Sequence, residues 1–211
     1  MKKTRVKFPS GELFLEGILA IPEGAGPFPA VIVCHPHPLY GGSMDNNVVY
    51  SLSETLTQAS LASFKFNFRG VGGSQGEFGQ GIGEQEDVEA AISFISTVKE
   101  VDSKRIGLAG YSAGAGFALP VGFKDAGIKA LAAVSPPLPM FDFDFLKDCP
   151  KPKLLISGSR DNFTPTDQFL EFCQTLPEPK ECEGIEGADH FWWGYESRLA
   201  AKVTAFFIKA L

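Results

Sequence analysis

The 211-residue sequence lacks any long apolar segment. No uncharged apolar stretch reaches the ~18 residues that a membrane-spanning helix requires, so no membrane span is expected. Positive charge is also scarce, with 19 Lys and Arg against 25 Asp and Glu and a formal net charge of -6. Nucleic-acid binding draws on a basic face that displaces counterions from the phosphates, so a nucleic-acid partner is not expected either.

No apolar stretch follows the basic residues at the start of the sequence. Residues 1–8 carry the positive charges typical of a signal peptide, but charged residues return at Glu12 and Glu16. Export is therefore not predicted, and we expect a cytoplasmic protein.

Cysteine and histidine are both scarce. The four cysteines show neither CxxC nor Cys/His spacing, which argues against a zinc site or a redox motif and favours free thiols; they are Cys34, Cys149, Cys173 and Cys182. The chain has only three histidines, so a reaction that needs a histidine base has few candidates: His35, His37 and His190.

Apolar residues, by contrast, make up 44% of the sequence, and their spacing alternates between two periods. Ala30–Cys34 is a continuous apolar run typical of a strand buried on both faces, whereas Val48, Leu52 and Leu56 recur at helical spacing. We predict strands near Val6 and over residues 13–21, 30–34, 63–68, 105–109, 130–134, 154–157 and 180–185, and helices over 47–60, 84–99, 112–121, 168–176 and 195–210. No repeat or long linker divides the chain, so we predict a single α/β domain over residues 1–211. Its doubly wound, mostly parallel sheet should be flanked by helices and should bind ligands at the carboxyl ends of the strands.

A G-x-S-x-G motif lies between a predicted strand and a predicted helix, at residues 110–114. In that setting the serine stands on a tight turn above the sheet, and the amino terminus of the next helix points at the developing oxyanion. The motif predicts Ser112 as a nucleophile. The competing interpretation is an ordinary connection from strand to helix, because short matches of this kind also arise by chance.

A serine nucleophile needs a base and a carboxylate that orients the base. His190 lies between the last predicted strand and the last helix, and Asp161 directly follows the strand over residues 154–157. The order Ser, Asp, His is the order of the α/β-hydrolase triad. Asp189 is a rival carboxylate, and Asp142, Asp144 and Asp148 are weaker rivals. In isolation, His190 also suits a surface loop and Asp161 a helix cap or an ion pair with Arg160.

Three motifs together resemble one branch of the α/β-hydrolase superfamily: residues 35–42 (HPHPLYGG), 67–72 (NFRGVG) and 110–114 (GYSAG). The chain is similar over nearly its whole length to compact bacterial serine hydrolases, relatives of dienelactone hydrolases and small esterases. The resemblance implies the α/β-hydrolase fold with a minimal lid or none. Dienelactone hydrolases carry a cysteine nucleophile where this chain has Ser112, so their substrate is not carried over.

An oxyanion hole in this fold uses the amide after the nucleophile, here Ala113, and a second amide from the loop after the third strand. Prolines 36 and 38 cannot donate, which leaves His37, Leu39 and Tyr40. If residues 37–39 take the place of the His-Gly-X of relatives, Leu39 is the donor, and we predict Leu39. His35 and His37 are two residues apart, so their imidazoles could bind one metal ion. Hydrogen bonds from each ring to backbone are the favoured interpretation, however, and no metal is predicted.

Larger relatives insert a helical lid between the sixth and seventh strands, but only about twenty residues separate those strands here. A full lid has no room, so we expect an open pocket. Tyr40, Phe191 and Trp192 are its predicted substrate-binding walls, together with an aromatic stretch containing Phe141, Phe143 and Phe145. The alternative is that the three phenylalanines belong to the core.

The sequence therefore predicts a serine hydrolase that cleaves carboxylic esters or thioesters of small acyl substrates through an acyl-enzyme, with no organic cofactor. Two alternatives stay open. One is a peptidase or amidase that uses the same residues, and the other is a binding protein that keeps the fold without catalysis. Small hydrolases of this kind often form homodimers, but the sequence singles out no face for that contact.

Overall fold

The structure is a computed structural model that describes residues 1–211. Its strands are β1 (Lys2–Ser10), β2 (Leu13–Ile21), β3 (Phe28–Cys34), β4 (Ala62–Phe66), β5 (Val101–Tyr111), β6 (Ile128–Val134), β7 (Lys153–Arg160) and β8 (Lys180–Asp189). Its helices are α1 (Asn47–Gln58), α2 (Ile82–Ser96), α3 (Ala113–Lys124), α4 (Thr166–Thr175) and α5 (Glu196–Ala210). Every predicted strand and helix is present, with shifts at the ends.

All eight strands form one sheet in the order β1-β2-β4-β3-β5-β6-β7-β8. The β1–β2 and β2–β4 pairs are antiparallel, and every other pair is parallel. The predicted doubly wound, mostly parallel sheet is confirmed. Because β3 and β5–β8 run in the same direction, the loops that follow them meet along one edge of the sheet.

Helices cover both faces of the sheet, and this explains the continuous apolar run in β3. Ala30, Ile32 and Cys34 pack into the core layer beneath α2, α3 and α4, whereas Val31 and Val33 pack into the layer beneath α1 and α5. Successive side chains of a strand point to opposite faces, so a strand buried on both sides must be apolar throughout.

Helix α2 begins at Ile82, two residues before the predicted start at residue 84. The buried carboxylate of Glu84 accepts hydrogen bonds from the amides of Gly79 and Gly81, at 2.9 and 2.7 Å. These bonds satisfy backbone donors ahead of the helix, which a helix start otherwise leaves without partners.

The connection between β6 and β7 contains only a short 3-10 helix, Asp144–Asp148, and therefore no helical lid. Phe143 is buried in the core, as the alternative interpretation held, and Phe145 packs against the core, while Phe141 lines the open cavity described below. No helix of the protein is both long and apolar enough to cross a membrane.

Candidate active site

Ser112 lies between the end of β5 and the start of α3, and its backbone adopts φ 55° and ψ -127°. A non-glycine residue at positive φ is strained, and such strain persists only where the surrounding structure holds it. One interaction that stabilises this backbone conformation is a 2.8 Å hydrogen bond from the Ser112 amide to the carbonyl of Val134 on the neighbouring strand. The turn leaves Ser112 half-buried at the carboxyl edge of the sheet.

The two glycines of the motif are required by close packing around this turn. A Cβ atom on Gly110 would overlap the backbone of Ala115 in the first turn of α3. A Cβ atom on Gly114 would overlap the carbonyl oxygens of Cys34 and His35, where the loop after β3 crosses the helix. The spacing of the motif thus lets the helix start lie directly against the turn and against the loop after β3.

The structure brings Ser112, His190 and Asp161 together from three loops. Nε2 of His190 lies 2.9 Å from Oγ of Ser112, and Nδ1 of His190 lies 2.8 and 3.0 Å from the two carboxylate oxygens of Asp161. An ionised carboxylate only accepts hydrogen bonds, so Nδ1 carries the proton and Nε2 is left to accept from the serine hydroxyl. Both His190 and Asp161 are buried.

The Asp161 carboxylate is held by further donors, and its charge state follows from them. Burial by itself raises the pKa of Asp161, but the hydrogen bond and charge of His190 and the amide of Phe163, at 2.9 Å, together lower that pKa below its usual value. The amide of Thr164 and the hydroxyl of Ser157 contribute longer bonds of 3.4 and 3.3 Å. Asp161 is therefore ionised at neutral pH.

The rival carboxylates Asp189, Asp142 and Asp144 bind other groups. Asp189 accepts the amides of Phe191 and Trp192, at 3.0 and 2.9 Å, and so closes the turn after β8 without contacting the His190 ring. Asp142 accepts the amide of Asp144, and the Asp144 carboxylate forms an exposed ion pair with Lys147.

The prediction that Leu39 supplies the second oxyanion amide is wrong for this structure. The Leu39 amide donates to Nδ1 of the His37 ring at 3.2 Å, and the Tyr40 amide donates to the His37 carbonyl at 3.1 Å. Both amides already have acceptors within the chain, because the backbone folds back as a short 3-10 helix over Pro38–Tyr40. Of the three candidates, only the His37 amide has no acceptor within the chain, and His37 lines the cavity beside Ser112.

Two backbone amides therefore remain free at the Ser112 side of the cavity. Ala113 is the first residue of α3, where helical amides have no partner within the helix, and its amide is oriented with the helix dipole. The other is the His37 amide. Both residues line the cavity beside Ser112, so these two amides are the candidate donors for an oxyanion formed at Ser112.

The fully buried ring of His35 fixes the peptide bond that carries the His37 amide. Its Nε2 accepts the Phe68 amide at 3.0 Å, so Nδ1 holds the proton and donates to the Pro36 carbonyl at 2.6 Å. The Pro36 carbonyl and the His37 N–H belong to the same planar peptide unit, so a bond that fixes one orients the other. Burial lowers the pKa of His35, and the hydrogen bond to Pro36 raises it by less, so the pKa is about 4. The ring is therefore neutral near pH 7.

A cavity of about 750 Å³ opens above Ser112. It is lined by aromatic and small side chains and by the loop after β3: Pro36, His37, Tyr40, Gly41, Gly42, Asn46, Tyr111, Ser112, Ala113, Pro137, Met140, Phe141, Phe163, His190 and Phe191. Tyr40 and Phe191 lie on its wall, where the sequence placed them.

Trp192 does not lie on the cavity wall, contrary to the prediction. It is fully buried, and its indole N–H donates to Oγ of Ser135 at 3.0 Å. At a φ of 63° the backbone turns the side chain of Trp192 inward between the exposed rings of Phe191 and Trp193. Trp192 instead packs in the core layer beneath α1 and α5 and supports the loop that carries His190.

Sequence reasoning missed the wall formed by Phe163 and Met140. Phe163 follows Asp161 by two residues in the same loop, and its ring centroid lies 4.2 Å from that of His190. The one sequence signal for Phe163 is that it lies two residues after the candidate carboxylate Asp161. Loop residues have no periodicity, however, so nothing in the sequence says which way the ring points.

The fold and this arrangement of side chains define a hydrolase of the α/β class, and comparison with known proteins agrees. A family model described as an alpha/beta hydrolase domain matches residues 30–200. The chain therefore belongs to the α/β-hydrolase family.

Relatives of this chain come from several bacteria. An uncharacterised protein of Rickettsia prowazekii is 34% identical over 172 residues, which cover 78% of this chain and 72% of the relative. The solved structure of an alpha-beta serine hydrolase homologue from Coxiella burnetii is 32% identical, with a TM-score of 0.88 and 97% of each chain covered. A serine hydrolase described as lacking a lid, from Xanthomonas campestris, is 26% identical with a TM-score of 0.88, covering all of this chain and 96% of the other. The expected lidless α/β-hydrolase fold is thus confirmed.

Proposed function

We propose that this protein is a serine hydrolase that cleaves neutral carboxylic esters or thioesters by way of an acyl-enzyme. The observation that carries the proposal is the continuous line of hydrogen bonds from Ser112 Oγ through the His190 ring to the Asp161 carboxylate. A hydroxyl at its ordinary acidity is a poor nucleophile, and an adjacent oriented base is the arrangement that activates it.

In the acylation step, Ser112 Oγ attacks the substrate carbonyl while Nε2 of His190 takes the hydroxyl proton. Asp161 keeps the proton of Nδ1 on the far side of the ring and stabilises the imidazolium as it forms. The carbonyl oxygen becomes an oxyanion that accepts from the amides of Ala113 and His37. His190 then returns its proton to the alcohol or thiol as the acyl bond breaks.

Deacylation repeats these steps with water in the place of the alcohol. His190 takes a proton from water, the resulting hydroxide adds to the acyl carbonyl, and the proton passes to Ser112 Oγ as the carboxylic acid leaves. The open cavity supports this step, because no lid between β6 and β7 separates Ser112 from solvent.

Replacement of Ser112 by alanine tests the proposal. Ser112→Ala keeps the Cβ atom and the fold but removes the nucleophile, so we expect loss of p-nitrophenyl acetate hydrolysis and of labelling by a fluorophosphonate probe. The matched control is Ser103→Ala on the exposed part of β5, which should label and turn over like the native protein. Labelling of Ser112→Ala at the native rate would show that another residue is the nucleophile.

A further inference from the structure

The chemistry proposed for this site fixes which end of a substrate lies near His190. The leaving alcohol takes its proton from Nε2 of His190, so its oxygen must come within hydrogen-bond reach of that atom. The side chains around the His190 ring therefore determine which alcohol the site accepts. This inference rests on the proposed function.

Two phenylalanines form those surroundings. The ring of Phe163 lies 4.2 Å from the His190 ring between centroids, and the ring of Phe191 lies 5.6 Å away and nearly perpendicular to it. The two phenylalanine rings are 6.4 Å apart at an interplanar angle of 87°. Together they form an apolar corner beside the His190 ring, which we call the aromatic corner.

The aromatic corner faces the cavity and is not filled by the protein. Phe163 is 37% exposed and Phe191 is 52% exposed, and both line the cavity above Ser112. A flat ring placed in a corner of this kind can pack edge to face on one wall and offset on the other, which are the favoured geometries of aromatic pairs.

The backbone of Phe191 is held from both sides even though its side chain is exposed. Its amide donates to Asp189 Oδ1 at 3.0 Å, and its carbonyl accepts from Nδ2 of Asn47 at 3.0 Å. These bonds hold the backbone from which the half-exposed Phe191 ring projects. The ring touches Phe163 and His190 within the chain, and its remaining surface faces the cavity, where a ligand can cover it.

Charge in the cavity further narrows the class of alcohol. No Lys, Arg, Asp or Glu side chain lines the cavity, so a charged alcohol would lose hydration without gaining a partner. A neutral flat alcohol gains from both phenylalanine rings and loses little on transfer from water.

We propose that Phe163 and Phe191 form the leaving-group subsite and that the substrates are neutral esters of aryl or arylmethyl alcohols. In this reaction the bond between the acyl carbon and the alcohol oxygen breaks, the acyl group stays on Ser112 Oγ, and the proton taken from Ser112 passes from His190 to the alcohol. Water then releases the acid, and no oxidant, reductant or cofactor enters the balance.

Benzyl acetate and methyl acetate make a matched pair of probes. Both carry the same acyl group, and the two alcohols are of nearly equal acidity, so the ratio of their kcat/KM values reports contacts to the alcohol. We measure each kcat/KM by titrating the released acetic acid. For the native protein we expect the kcat/KM of benzyl acetate to exceed that of methyl acetate at least about tenfold. Burial of one aromatic ring can account for a factor of this size.

The variant Phe191→Ala removes one wall of the aromatic corner, and we expect it to lower the benzyl-to-methyl ratio about fivefold or more. The matched control is Trp193→Ala, in the same loop, because Trp193 is 69% exposed and does not line the cavity. Its ratio should equal that of the native protein. A purely structural effect of Phe191→Ala would lower both kcat/KM values by one factor and leave the ratio unchanged.

The outcomes separate the subsite from the proposed function. If Ser112 is labelled by a fluorophosphonate and the native ratio is near one, or if Phe191→Ala leaves the ratio unchanged, the aromatic subsite is wrong and the serine hydrolase stands. If neither labelling nor hydrolysis of either ester occurs, the proposed function fails and the subsite fails with it.

Discussion

The hydroxyl of Tyr111 donates a hydrogen bond of 2.8 Å to the backbone carbonyl of His190. Tyr111 is the residue immediately before Ser112, so this bond ties the turn that carries the proposed nucleophile to the loop that carries the proposed base. The hydroxyl is buried, and burial raises the pKa of Tyr111, so the donor keeps its proton.

Removal of this hydroxyl should loosen the contact between the two loops. Tyr111→Phe keeps the ring but leaves the buried carbonyl of His190 without that donor, which costs roughly 1–3 kcal/mol of stability. We expect a lower melting temperature and a kcat reduced about threefold to tenfold, as His190 becomes less well placed over Ser112. Both are measured with p-nitrophenyl acetate and thermal unfolding.

The control for this variant is Tyr50→Phe. Tyr50 is half exposed on α1, and its hydroxyl makes no hydrogen bond within the chain. The variant should match the native protein in kcat and melting temperature. Equal kcat values for Tyr111→Phe and Tyr50→Phe would show that the bond to His190 does not position the base.

A pair of asparagine variants tests the choice between Asp161 and Asp189. An amide at position 161 cannot carry the charge that holds the proton on Nδ1 of His190, so we expect Asp161→Asn to lose about 10³–10⁴-fold in kcat. Asp189→Asn keeps a side-chain oxygen for the amides of Phe191 and Trp192, so it should stay close to native activity. The reverse result, an inactive Asp189→Asn beside an active Asp161→Asn, would overturn the assignment.

The neutral, buried ring of His35 should make the stability of the protein depend on pH. Its pKa is about 4 in the folded chain against 6.5 for an unperturbed histidine. Between these values the unfolded chain binds the proton and the folded chain does not, so stability is lost as the pH falls from 6.5 to 4. The loss is at most ~1.4 kcal/mol per pH unit and ~3 kcal/mol in total.

Urea unfolding of the native protein and of His35→Gln at pH 7, 6, 5 and 4 measures this contribution. Glutamine does not titrate, so the variant should be less stable at pH 7 but should lose less stability on acidification, and the difference between the two proteins should shrink. A constant difference across this range would contradict the prediction.

The contribution of Asp161 to stability changes below the pH range of this experiment. Its pKa is lowered, so the stability it provides is present above 3.8 and is lost only as the pH falls through the lower folded value.

The sequence by itself determined the alternation of strands and helices and the setting of Ser112. Ala30–Cys34 must be apolar throughout because both faces of β3 are covered, and that constraint is visible in the residues themselves. The glycines at 110 and 114 mark a turn where the backbones of α3 and the loop after β3 come into contact. The apolar run and the glycine spacing are local or periodic features of the chain, so both are visible in the amino-acid sequence alone.

Only the tertiary structure decided which groups converge on Ser112. The choice of Asp161 over Asp189 depends on hydrogen-bond partners. The Asp161 carboxylate reaches Nδ1 of His190, whereas the Asp189 carboxylate accepts from amides of its own turn. Whether an amide at 37 or 39 is free depends on a hydrogen bond that Leu39 makes to the ring of His37. Loops carry no hydrophobic period, so the direction of an amide or a ring is fixed by partners from other parts of the chain.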